Sequence, residues 1–151
     1  MKKIARLSIR DIPIIVGIVY RTGKVVFLQD KLPIPRLVDI FDSKGRSVPD
    51  GMDRLAHIRW LTDGILHRLF GGSYCMKRTL ILFHYAQRYG VESTVVFGVA
   101  RDGDTLKGHA WLSIDGEPYK ENEGAVDNYK VIYSHPPSNN ISSIRVEPGK
   151  G

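Results

Sequence analysis

The apolar residues of this chain change period once, and that change constrains the fold more than any other feature. Leu55, Ile58, Leu61, Ile65 and Leu69 recur at helical spacing, so Met52–Phe70 predicts a helix lying on a core. Gly71-Gly72 ends it, Ser73 is placed to cap a second helix over Tyr74–Tyr89, and Gly90 is placed to terminate that one. The middle of the second helix, Leu80-Ile81-Leu82-Phe83, is apolar nearly all round, which makes it central and buried. From Val91 the period falls to two. Thr94–Ala100 reads as a strand, Arg101-Asp102-Gly103-Asp104 as a turn, Gly108–Ile114 as a second strand, and Asp115-Gly116 as a strong hairpin signal. A third strand starts near Pro118, Tyr129–Tyr133 predicts a fourth, and the tail from His135, with Pro136-Pro137 and Asn139-Asn140, reads as irregular. Helices first and an antiparallel meander after them define an α+β domain.

The first 50 residues read differently. Ile14–Tyr20 and Val25–Leu28 are rich in β-branched residues and flank Arg21-Thr22-Gly23-Lys24, so they predict a β-hairpin. Leu32-Pro33-Ile34-Pro35 is expected to be extended, a short helix to cover Arg36–Asp42, and the polar Ser43–Gly51 to be a loop. At 151 residues the chain fits one domain.

No apolar run approaches the roughly 20 residues of a membrane span. The basic cluster at Met1–Arg6 is followed by Arg10 and Asp11 rather than by an apolar stretch and a cleavage site, so the expectation is a soluble cytoplasmic protein. One cysteine excludes an internal disulfide and any zinc site built from several thiolates. The five histidines lack ligand spacing, so neither a metal nor another cofactor is expected. Residues 1–90 hold 16 Lys/Arg against 7 Asp/Glu, a net +9, whereas residues 91–151 hold 6 against 9, a net −3. Such asymmetry can mark an acidic-peptide, membrane-surface or nucleic-acid partner, but by itself it is read first as serving solubility. Aromatics do not interleave with the basic residues in any RNA-binding motif, so no nucleic-acid partner is expected.

A lone cysteine is ordinarily a buried structural residue. Cys75 has a different context. Two residues past the expected cap, it lies in the first helical turn, where unpaired N–H groups and the positive end of the macrodipole favour a thiolate. Lys77 and Arg78 add positive charge. A thiolate nucleophile needs a base, and the base needs an orienting group. His84 shares the helix but sits about 13 Å along it and about half a turn round. His57, His67 and His135 carry no supporting pattern. His109, on the second strand within His109-Ala110-Trp111-Leu112, is the candidate base. Asp115 is about 20 Å further along that strand and suits the turn. A three-residue loop Ile114-Asp115-Gly116 would pair Ser113 with Glu117, and so His109 with Glu121. Other loop lengths shift this by a residue or two, and Glu121 stays beside His109. Glu121 is therefore the candidate orienting acid.

The segments Cys75-Met76-Lys77-Arg78-Thr79-Leu80, Val96-Phe97-Gly98-Val99, Gly108-His109-Ala110-Trp111-Leu112 and Asp115-Gly116-Glu117-Pro118 resemble the transglutaminase-like leader peptidases of lasso-peptide biosynthesis, in their stand-alone form. The resemblance spans residues 52–121 and extends to the first 50 only in general character. It implies a papain/transglutaminase-like fold with an N-terminal-Cys helix packed on the meander. Residues 51–151 would form the catalytic core, with the 1–50 hairpin and loop region part of the same domain. It also implies a Cys75-His109-Glu121 triad that cleaves a leader from a ribosomally made precursor peptide. The acid is often Asp in that family, so Glu121 is a departure. A separate small leader-recognition protein and an ATP-dependent cyclase are the implied partners. The alternatives are an acyltransferase that passes the same thioester to an amine, and a non-catalytic peptide-binding module of the same fold.

Overall fold

Residues 14–28, expected as a β-hairpin, lie within one continuous helix, α1 (Ile12–Leu28). A computed structural model describes residues 6–136. In it, Ser8 and Asp11 form a reciprocal capping box at the short 3-10 turn Ile9–Asp11 that leads into α1. Pro13 falls in the first helical turn, where its missing N–H removes no helical bond. The β-branched residues lower helix propensity by only a few tenths of a kcal/mol each. Burial outweighs them: Ile18, Thr22 and Val25, spaced four and three apart, turn inward together. The expected turn Arg21–Lys24 lies inside the helix. There, Thr22 Oγ1 donates to the Ile18 carbonyl at 2.8 Å and Arg21 to the Gly17 carbonyl at 3.0 Å.

The other helices are α2 (Ile34–Phe41), α3 (Gly51–Phe70) and α4 (Cys75–Arg88). Ile34 and Pro35 belong to α2 rather than to an extended segment, because Pro at the first helical positions is already shaped for a helix. On α3 the buried stripe is Leu55, Ile58, Leu61, Thr62 and Leu66. Ile65 is only half-buried and Leu69 is exposed, so the stripe drifts by one residue from the expected one, as a 3.6-residue period does over five turns. Leu80, Ile81, Leu82 and Phe83 are all buried, and α4 packs against α1, α2 and α3. The helix is central, as its all-round apolarity predicts. Gly90, with φ +67°, ends it.

The chain divides into two compact units, residues 1–91 and 92–151. The second holds an antiparallel sheet of β1 (Thr94–Asp102), β2 (Thr105–Ile114), β3 (Glu117–Pro118) and β4 (Lys130–His135). The strand order is β3-β2-β1-β4. It is not the simple meander expected, since the fourth strand pairs with the first rather than the third. The β1–β2 hairpin is longer than expected, turning at Gly103-Asp104, with Asp102 and Lys107 ion-paired beside the turn. The irregular tail expected from His135 begins after that residue's place in β4, and from Pro137 it lies outside the described residues. The architecture is α+β. No helix among the described residues is long and apolar enough to cross a membrane.

Candidate active site

Cys75 is the first residue of α4 and is partly exposed. The residue preceding the helix is Tyr74, at φ −141° and ψ 20°, not Ser73. Tyr74 makes no side-chain cap bond, so its side chain does not compete for the first-turn N–H groups. The thiol therefore sits where the macrodipole favours negative charge.

The two cations that follow are each engaged. The Lys77 ammonium lies 4.7 Å from the Phe70 ring centroid, and the Arg78 guanidinium 5.9 Å from that of Tyr74. Arg78 also reaches Asp63 on α3 at 3.7 Å, an ion-pair distance, while Arg59 holds the other oxygen of Asp63 at 2.6 Å. Two arginines share one carboxylate, which ties the first turn of α4 to α3 and leaves a net positive charge nearby. Sequence reasoning counted Arg78 only as charge. The Arg59/Asp63 spacing of four on a predicted helix was the available signal for the rest.

In the second unit, His109 lies on β2 opposite Gly98 of β1. Its Nε2 is 3.5 Å from Glu121 Oε2, with the two side chains 19% and 11% exposed. The distance suits an ion pair with the imidazolium better than a strong neutral hydrogen bond. The ring is stacked at 5.9 Å on Trp111, two residues along the same face, and lies 5.3 Å from Tyr129. Trp111 is itself buried with Val96 and Val126, so the imidazole stands on a packed base. A Cβ at Gly98 would come within 2.9 Å of the Tyr129 Cβ and 3.1 Å of the Trp111 ring. Glycine there admits both rings against the histidine.

The path to Glu121 is not the expected one. The hairpin loop has two residues, Asp115 at φ +54° and Gly116 at φ +81°, and pairs Ile114 with Glu117 and Ser113 with Pro118. Continued, that register would set Glu121 across from Ala110, on the face away from His109. The ladder does not continue. Tyr119 still donates to Leu112 at 2.7 Å, but Lys120 takes a left-handed conformation at φ +51°, and the chain after it turns Glu121 back to the histidine. Asp115 is exposed at the turn tip.

Two other histidines, His57 and His84, are engaged elsewhere in the first unit. His57 Nε2 meets the buried Asp11 at 2.8 Å, which, with the Ser8 backbone bond, holds the Asp11 carboxyl below its ordinary pKa. His84 is partly buried in α4, its Nε2 without a hydrogen-bond partner. Burial, reinforced by Arg21, Arg88 and Lys24, lowers its pKa to about 4 against a bond to the Phe41 backbone. It stays neutral and serves packing. No cluster of three or more metal-ligating side chains occurs among the described residues.

A family model, the transglutaminase-like superfamily, matches residues 36–134. No curated protein and no solved structure matches the chain.

Proposed function

Because this chain belongs to the transglutaminase-like superfamily, whose members include cysteine peptidases and acyltransferases, we propose that it is a cysteine peptidase removing the leader from a ribosomally made lasso-peptide precursor. The observation that carries the peptidase reading is the His109–Glu121 pair at 3.5 Å, held on an aromatic base. In this reading Nε2 faces Glu121 and Nδ1 is the nitrogen that takes the thiol proton. The reading requires Cys75 Sγ within hydrogen-bond reach of that nitrogen in the working enzyme.

The chemistry follows from these roles. His109 takes the Cys75 proton, and the thiolate attacks the carbonyl at the leader–core junction, forming the S–C bond. The first-turn N–H groups of α4 receive the oxyanion. As the C–N bond breaks, the imidazolium returns its proton to the leaving amine. Water, activated by the same histidine, then hydrolyses the thioester and regenerates the thiol. Glu121 keeps the imidazole oriented and stabilises its charged form. The single thiol suits a reducing compartment such as the cytoplasm. The lasso substrate rests on the sequence resemblance, as do the separate leader-recognition protein and the cyclase.

The test is processing of a precursor peptide in the presence of its leader-recognition protein. Cleavage by the native chain and none by Cys75→Ala, with both equally folded, supports the proposal. Cleavage by Cys75→Ala overturns it. Transfer of the leader acyl group to an added amine in preference to water would assign the same thioester to acyl transfer.

A further inference from the structure

The exposed face of α1 bears no charge. Ile12, Val16, Val19, Tyr20, Val26 and Phe27 are all exposed, Val16 by 62% and Phe27 by 64%, and the other exposed positions of the helix are Pro13 and Gly23. At 100° per residue these positions fill an arc of about 140°, over about 22 Å of helix. Ile9 extends the apolar surface into the preceding turn at 81% exposure. A contiguous apolar surface of this kind marks an interaction site rather than scattered exposure.

The rim of the stripe is basic. Lys31 Nζ lies 3.4 Å from the centroid of the Phe27 ring, and Lys24 Nζ 6.0 Å from that of Tyr20. Each cation thus flanks an exposed aromatic ring. From Arg6 to Arg36 there are six basic residues against two acids, and one of those, Asp11, is buried on His57. A second copy of the chain would set these cations against each other, within a segment that carries +9 over residues 1–90, with 16 Lys/Arg against 7 Asp/Glu. An anionic partner would not meet that repulsion. The helix cannot span a bilayer, since it has 17 residues and its opposite face, Ile18, Thr22 and Val25, is buried in its own unit.

From this uncharged stripe and its basic, aromatic rim we propose that α1 docks the protein on an anionic lipid surface. The helix lies in the plane of the interface. Its apolar arc enters the headgroup–acyl boundary, Tyr20 and Phe27 anchor it at that level, and Lys24 and Lys31 reach anionic headgroups. The inference is independent of the peptidase reading, because it concerns a helix that carries none of the proposed catalytic residues.

The test is sedimentation of the full chain with phosphatidylcholine vesicles and with mixed phosphatidylcholine–phosphatidylglycerol vesicles. Binding is expected to the mixed vesicles, to weaken as salt rises, and to be far weaker on the neutral ones. The double variant Val16→Glu, Phe27→Glu should bind at least tenfold more weakly with unchanged helical circular dichroism. Lys24→Gln, Lys31→Gln leaves the apolar arc intact and should weaken binding to the anionic vesicles alone; it serves also if the first variant misfolds. No sedimentation with either vesicle, or equal binding by all variants, overturns the proposal. So does a concentration-dependent dimer that the glutamate variant dissolves in the absence of vesicle binding, which would assign the stripe to a second copy.

Discussion

His84 makes the helical unit sensitive to acid in a way that can be worked from its surroundings. In the folded chain its pKa is about 4, because burial and the positive charges of Arg21, Arg88 and Lys24 disfavour the imidazolium. In the unfolded chain it returns to about 6.5. The sign follows directly. Between those values the unfolded chain binds a proton that the folded chain refuses, so the stability present above pH 6.5 falls as the pH drops and levels off below about 4. Each pH unit in this window costs up to about 1.4 kcal/mol, and partial exposure trims the whole to about 2–3 kcal/mol. That is a large share of the 5–15 kcal/mol typical of a domain. The perturbation is His84→Gln, which retains a donor for the Phe41 backbone and cannot ionise. Urea unfolding of both proteins, followed by tryptophan fluorescence at steps from pH 7 to pH 4.5, gives two stability curves. Their difference removes the carboxylates and the other histidines common to both. The native curve should fall below the variant's by about 2 kcal/mol across the range. Parallel curves would refute the reasoning, showing that His84 takes its proton as easily folded as unfolded.

Glu121→Gln should lower turnover by roughly three to four orders of magnitude, by analogy with triads that lose their acid, and Glu121→Asp should retain part of it. Asp115→Asn should leave turnover unchanged, since Asn accepts the left-handed conformation the turn requires; a dead Asp115→Asn beside an active Glu121→Gln would reassign the acid. Gly98→Ala should cost about 1–3 kcal/mol in urea unfolding and lower kcat, because its methyl would strike Tyr129 and Trp111 and displace the rings that support His109. Native stability and native kcat in Gly98→Ala would show that the aromatic base does not hold the imidazole.

The helix α4 was legible because Gly71-Gly72 and Gly90 bracket its apolar segment, and α3 because its apolar residues repeat at helical spacing. The strands β1 and β2 were legible for the same reason at period two, and Asp115-Gly116 announced its own turn. The α1 segment was not. Its exposed face is as apolar as its buried face, so no polar residue marks the 3.6-residue period, and the β-branched composition spoke for strands instead. The partner of β4 was hidden too, because strand order depends on contacts across some thirty residues rather than on local spacing. Of the candidate site, His109 beside Glu121 was foreseen, but through the wrong register. The left-handed Lys120 that restores the contact has no sequence signature, since lysine is not a residue that seeks positive φ. Tyr129 reaches the histidine from the long connection before β4, which no periodicity describes.

The claim that Cys75 and His109 act as one nucleophile–base pair can be tested without any substrate. The chain has one cysteine, so the rate of alkylation by iodoacetamide reports Cys75 alone. Measured from pH 5 to pH 9 on the native chain and on His109→Ala, the rate should be high and flat through neutrality in the native chain. In His109→Ala it should fall well below that at neutral pH and rise only as the thiol approaches its ordinary pKa near 8.5. Superimposable pH profiles for the two proteins would contradict the pairing and leave Cys75 a cysteine at the start of a helix.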